Sequence, residues 1–284
     1  MKRKECKQIA AAIAARDYLA ATSLIDAELN LMQSNPKFYR VHWERDLIKL
    51  QNFLVDGIPT FSIFAKDGNG KLPFLAFSSM PGEGFCIGAG DCLNWCYSFR
   101  AWRYPAAFCR QIQNSVLLQS DNGRSEILSA LDKFKPKDGA IDFRLYVDGD
   151  FTGVSDIKFW MESLADRPWL KAYGYSKSWQ SFLEYTGDVP SNYLLNLSSG
   201  SKYSDIIKDK LKAFAFVRGE FKAISVGYKV KSGDHGNRAH QKRLRLAYGS
   251  KAFTCPGLCG SCTKLGHACG SDRFNGVDII IAVH

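Results

Sequence analysis

Between residues 140 and 197 strand-like apolar runs alternate with a helical pattern, and no other feature narrows the fold as far. Residues 140–147, 171–176 and 192–197 read as strands, and residues 155–164 as a helix with its apolar positions on one side. Strands that return in the same sense through helices pair in parallel, because no tight turn can close a parallel pair. The expected core is α/β, a partial or complete βα barrel-like sheet.

The flanks are read on the same terms. Residues 60–65 and 72–77 are short strand-like runs around Asp67-Gly68-Asn69-Gly70, a hairpin signal. Residues 97–118 and 125–134 read as helices. Beyond Phe214 the alternation stops: residues 214–217 and 221–230 look like an antiparallel hairpin about Arg218-Gly219-Glu220, and residues 277–283 form an apolar last strand that completes the sheet. Residues 3–56 read as three helices, with Asp17 capping the second, Asn35-Pro36 opening the third and Asp56-Gly57 ending it. His42, between Val41 and Trp43, reads as a packed histidine. The chain divides into a helical N-terminal arm, 1–57, and a barrel-like α/β domain, 58–284, that includes a cysteine-rich metal knot at 255–269.

In that knot Cys255, Cys259, Cys262 and Cys269 are separated by three, two and six residues, with Pro256, Gly257 and Gly260 between them. Such spacing lets sulfurs meet at one point, as a tetrahedral zinc or an iron–sulfur cluster requires, and His267 could stand in for one of them. Disulfides or unrelated buried thiols are the alternative. Upstream, Cys86, Cys92 and Cys96 lie in a glycine-rich loop with gaps of five and three. Three ligands leave a coordination position open, the condition for chemistry rather than stapling. Cys6 and Cys109 read as ordinary thiols.

In α/β sheets ligands sit at the carboxyl ends of the strands. Ser78 and Ser79, Asp148-Gly149-Asp150, Ser176-Lys177-Ser178, and Asn196 with Ser198 and Ser199 fall at such ends and are expected to line one mouth. Asp148, Gly149, Asp150, Ser176 and Ser178 are the candidate cofactor contacts. The acidic turn could bind an amine, a cation or a ribose, or be a simple turn.

The net charge of +10 is concentrated: Lys229, Lys231, Arg238, Lys242, Arg243, Arg245 and Lys251 stand against only Asp234. With its glycines and Asn237 the segment reads as a flexible loop, expected to grip nucleic acid beside the knot; a solvated loop without a ligand is the alternative. The helical arm holds no catalytic constellation and reads as a cap or as a surface for a host protein. Nine cysteines without an export signal suit a reducing, cytoplasmic compartment, and no run of eighteen apolar residues suggests a membrane span. A phosphate loop, a His-Glu-x-x-His helix and a serine–histidine–acid order are all missing, so NTPase, zinc-protease and serine-hydrolase readings have no support.

Cys96-Tyr97 closing the first cysteine loop, Gly149-Asp150-Phe151 and Tyr175-Ser176-Lys177-Ser178 at strand ends, and the knot from Cys255 to Cys269 together resemble the phage and plasmid gene product 88 family. That family is distantly similar to radical S-adenosylmethionine enzymes, in which a three-cysteine loop follows the first strand of a partial βα barrel and an aromatic residue precedes its third cysteine, as Trp95 precedes Cys96. The gaps here, five and three residues, are longer than is usual in those enzymes. The resemblance implies a [4Fe–4S] cluster on Cys86, Cys92 and Cys96, open to S-adenosylmethionine, with the acidic turn where the methionine amino group is held. It also implies a second cluster or a zinc on Cys255, Cys259, Cys262 and Cys269. The expected function is to act on or bind nucleic acid, as a radical-type enzyme or as a metal-stapled binding protein.

Overall fold

The computed structural model describes residues 1–284 apart from 2, 36, 38, 39, 67–73, 250, 261, 264, 265 and 284, and the backbone alone at Ser232. Three helices open the chain: α1 (Arg3–Ala14), α2 (Tyr18–Ser34) and α3 (Val41–Asp56). Asp17 caps α2 by accepting the Ala20 amide at 2.9 Å, and Gly57 ends α3 in the left-handed conformation, φ 72°. The third helix starts later than Asn35-Pro36 implies. Asn35 closes α2 and accepts the Lys37 amide, while Pro36 lies outside the described residues. His42 is exposed, and the packed residue of that pair is Trp43.

β1 (Phe64–Ala65) pairs antiparallel with β2 (Leu75–Phe77); the turn expected at Asp67-Gly68-Asn69-Gly70 lies outside the described residues. After α4 (Cys92–Trp95) and a 3₁₀ segment, Tyr97–Arg103, comes α5 (Pro105–Leu117). Pro105 divides the long helix expected over 97–118, because proline suits a first turn and cannot donate within one. The alternation then runs α6 (Asp121–Asp132), β3 (Ile141–Leu145), α7 (Val154–Ala165), β4 (Leu170–Ser176), α8 (Trp179–Glu184), β5 (Tyr193–Ser198), α9 (Asp205–Lys212) and β6 (Val217–Ile224).

Strands β2 to β6 lie parallel, each beside the next in chain order. Right-handed crossovers between consecutive strands put their helices on one face. That face is the main core, where Ile157, Trp160, Met161 and Leu164 of α7, spaced i, i+3, i+4 and i+7, pack with Phe143, Leu145, Leu170 and Ala172. Burying each such large side chain contributes roughly 1.5–3 kcal/mol. Ile9 and Ile13 of α1 and Leu47 and Leu50 of α3 join the same core with Phe108 and Ile112 of α5, so the arm is built into the body of the protein.

Beyond Phe214 two expectations are corrected. Residues 217–224 form the single strand β6, not a hairpin: Arg218-Gly219-Glu220 is a bulge, with Gly219 at φ 151° and a register shift opposite Leu195 and Asn196. The basic segment is a loop only in part: Lys229 and Lys231 lie in irregular backbone, and helical structure follows. It contains a 3₁₀ turn, Ser232–Gly236, and α10 (Arg238–Tyr248), whose N-cap is the same Asn237 that suggested a loop; its Oδ1 accepts the Ala239 amide at 2.8 Å.

The last strand, β8 (Ile279–Ala282), completes the sheet from within, parallel between β6 and β7 (Phe253–Thr254). The order is β1-β2-β3-β4-β5-β6-β8-β7, and among the described residues no pairing joins β7 to β1 to close a barrel. The face of the sheet opposite the main core is covered by the cysteine-rich segment, where Phe74, Tyr173 and Ile279 pack with Ala268 and Cys269. Among the described residues no helix is long and apolar enough to cross a membrane.

Candidate functional site

The carboxyl ends of β2 to β5 meet as expected. The Ser79 amide donates to Asp148 O at 3.0 Å, and Gln111 Nε2 donates to the Asp148 carboxylate at 3.0 Å. Asp150 is buried, with Oδ1 accepting the Ser176 hydroxyl at 2.6 Å and the Phe151 amide at 2.8 Å, and Oδ2 accepting the Lys177 amide at 2.7 Å. Ser178 closes the network by donating from Oγ to Phe151 O at 2.7 Å. Burial pushes the carboxyls of Asp148 and Asp150 above the ordinary range, and the Lys177 charge opposes this at Asp150. Three of the roughly four acceptor positions of the carboxylate are thus filled by the protein, which leaves one on Oδ2 for an arriving amine.

The first cysteine loop lies across these ends. Gly88 O accepts the Lys202 amide at 3.0 Å, and the Gly90 amide donates to Gly200 O at 2.9 Å. Only glycine allows this approach: a Cβ on Gly88 would fall 1.8 Å from Lys177 O, and one on Gly200 2.8 Å from Cys92 Cβ. Cys86 and Cys92 are thereby held at the strand ends beside Lys177, whose Nζ donates to Ser198 Oγ at 2.8 Å, and Cys96 lies near both thiols. Burial pushes the thiols of Cys86 and Cys92 up, and the Lys177 charge pulls both back.

The second group is fixed at both ends to the sheet. The Cys255 amide donates to Ile280 O at 2.8 Å, and Cys269 O accepts Asn196 Nδ2 at 2.9 Å. Three backbone amides across the two groups are aimed at sulfur: Gly82 at Cys86 and Gly257 at Cys255, both at 3.4 Å, and Ala268 at Cys262 at 3.3 Å. Arg144 Nη1 lies 3.8 Å from Cys259 Sγ, with the guanidinium 4.8 Å from the Tyr175 ring centre. Burial pushes Cys255 up to about 11 and Cys269 up to about 12, so these thiols keep their protons unless a cation compensates them. His267 is engaged elsewhere: Nδ1 accepts the Gly270 amide at 3.1 Å, and Nε2 lies 3.3 Å from Asp142 Oδ1. All nine cysteines are free thiols. Among the described residues no three His, Cys, Asp or Glu side chains are gathered closely enough to hold a metal ion, so the sulfurs would have to draw together to bind one.

Lys229, Lys231, Arg238, Lys242, Arg243 and Arg245 are all exposed. Arg238, Lys242 and Arg245 share one face of α10 at i, i+4 and i+7, while His240 and Leu244 are buried and Arg243 stacks on Tyr228 at 4.8 Å. None of the six makes an ion pair among the described residues, in contrast to Lys222, which pairs with Glu220 and Asp278. The basic segment borders the knot, because a Cβ on Gly257 would lie 3.2 Å from His235 Cβ.

Some contributors lack a sequence signal. In α5, Asn114 Nδ2 donates to Ile63 O and Ser78 O, Gln113 binds the backbone of Thr60 and Phe61, and Ser115 Oγ accepts the Met80 amide, so buried polar side chains of one helix fix the approach to β1 and the end of β2. A run of Gln and Asn inside an apolar helix is the clue that was available.

The fold and site define an open, mostly parallel α/β protein with cysteines at its strand ends and a second cysteine group across its other face. The chain belongs to the gene product 88 family, which matches residues 58–275 and leaves out the helical arm and β8. No curated protein and no solved structure matches the chain.

Proposed function

We propose that the chain is a metal–thiolate protein of phage or plasmid type that binds nucleic acid, with Cys86, Cys92 and Cys96 holding a [4Fe–4S] cluster and Cys255, Cys259, Cys262 and Cys269 holding a second cluster or a zinc. The observation that carries the reading is the set of amides aimed at sulfur in both groups. Such bonds favour the thiolate, which is the metal-binding form. Lys177 and Arg144 add positive charge beside the first and second group. Because the sulfurs must draw together, metal loading is coupled to local folding.

A cluster with three protein ligands supplies one-electron chemistry and an open iron. The sequential strands, with helices on one face, have the layout of a partial barrel wall whose mouth would present it. Asp150 keeps one acceptor position on Oδ2 beside its bonds from Ser176, Phe151 and Lys177, and it is the spacing of Cys86, Cys92 and Cys96, with gaps of five and three residues, that favours binding over a radical-type reaction. A reducing, cytoplasmic setting suits such thiolates.

α10 supplies the grip on phosphate. Each neutralised phosphate contributes about 0.9 to the slope of log affinity against log salt on duplex DNA. Replacing Arg238, Lys242 and Arg245 together by Gln is expected to reduce that slope by roughly 3 and to weaken binding at every sequence. Fluorescence anisotropy at several salt concentrations reads both effects; a triple variant with the parent's slope would remove α10 from the interface.

A further inference from the structure

A cavity of about 450 Å³ opens on the helix side of the strand ends, between the α1–α2 corner, the end of α5 and the first turns of α6 and α7. Its size is ordinary for a small-ligand pocket. It contains none of the seven clustered cysteines and no part of α10, so nothing below rests on the metal reading.

Arg16, which lines it, is one of two non-glycine residues with a left-handed backbone among those described, at φ 58°. The Arg16 amide donates to Ile13 O at 3.0 Å and the Asp17 amide to Ala12 O at 2.9 Å, the helix-ending pattern whose left-handed position is usually glycine. An arginine there is strained, its side chain is exposed, and it makes no ion pair among the described residues. Strain retained where a side chain reaches a cavity is a pointer to function. The second residue of this kind, Tyr146 at φ 57°, donates its hydroxyl to Asp156 Oδ2 at 2.6 Å and so orients a carboxylate of the same cavity.

Arg124 faces the cavity from α6, held by Leu118 O at 3.0 Å and Ser155 Oγ at 3.1 Å. The twelve-residue α7 opens at Gly153 without a side-chain cap. Two further lining residues are almost wholly buried, Ser79 at 1% and Asp156 at 2% exposure, and Ser79 Oγ and Asp156 Oδ1 have no hydrogen-bond partner among the described residues. Buried polar atoms of this kind call for a partner.

We infer that this cavity binds the phosphate end of a nucleotide: Arg16, Arg124 and the first turn of α7 take the phosphate, and Ser79 and Asp156 meet a hydroxyl or amino donor on the attached ribose or base. A free nucleoside monophosphate and a 5′-phosphorylated end of nucleic acid share this chemistry. Isothermal titration of the full chain with AMP, and of the α10 triple variant with a short oligonucleotide bearing either a 5′-phosphate or a 5′-hydroxyl, separates the two sources. Saturable binding of AMP is expected, unchanged in the α10 variant and at least tenfold weaker in Arg16→Gly, which relieves the backbone strain and preserves the fold. Arg16→Asn, also tolerant of the left-handed region, is the second variant and should behave alike. Tighter binding of the 5′-phosphate oligonucleotide than of AMP assigns the pocket to nucleic-acid ends, and the reverse assigns it to free nucleotides. The inference is overturned if neither AMP nor the 5′-phosphate saturates, or if folded Arg16→Gly and Arg16→Asn bind as the parent does.

Discussion

Asp156 lies in the first turn of α7 with the Tyr146 hydroxyl at 2.6 Å and the Thr152 amide at 3.0 Å on the same oxygen. Burial pushes its carboxyl up to about 6, and the bonds from Tyr146 and Thr152 and the Arg124 charge do not fully offset it. The folded chain therefore holds this proton more tightly than the unfolded one. The resulting stability is fully present below about pH 4, the unfolded carboxyl's range, and is lost as pH rises through about 6. Asn keeps an acceptor for Tyr146 and Thr152 and has no proton to lose. Asp156→Asn is expected to be more stable than the parent at pH 7, by roughly 3 kcal/mol at most, with the difference vanishing toward pH 4. Urea unfolding of both proteins from pH 4.5 to 8 checks this; a difference that does not change with pH would show that Asp156 titrates normally.

At the level of elements, Arg218 is the bolt between β5, β6 and the approach to β8. It is wholly buried, with Nε donating to Asn196 Oδ1 at 2.5 Å, Nη1 to Phe274 O at 2.9 Å and Val277 O at 2.7 Å, and Nη2 to Glu220 O at 3.1 Å. Arg218→Met fills similar space but leaves those acceptors without a donor, so a loss of about 3–5 kcal/mol is expected, seen as a lower urea midpoint. A loss under about 1 kcal/mol would mean water replaces the guanidinium. The sequence reads Arg218-Gly219 as a turn because a bulge and a turn both call for glycine, and the distinction lies in β5, more than twenty residues away in the chain. α10 is hidden for another reason: His240 and Leu244 alone are buried in eleven residues, too few for an apolar period, and its cap, Asn237, is also a loop former. α7 and the strands β3, β4 and β5 were legible because each carries its own apolar pattern. The meeting of the strand ends followed from topology, but the engagement of Asp150 by Ser176 and Lys177 did not, since those donors arrive on the next strand.

Across the whole molecule one sheet separates two environments. The first cysteine group crowns the strand ends near the main core, and the second covers the opposite face, where Arg144 meets Cys259. The arm, outside the family match, shares the core with α5 and lends Arg16 to the cavity at the rim. The seven clustered thiols, with amides and cations directed at them, make sense together if metal binding draws each group closed. The direct measurement is a UV–visible spectrum with iron, sulfide and zinc analysis on protein purified without oxygen. The account predicts a broad band near about 400 nm with about four irons for the first group, and either about four more irons or one zinc for the second. A colourless chain without iron would contradict the cluster at the strand ends, and a folded chain holding neither iron nor zinc would contradict the account as a whole.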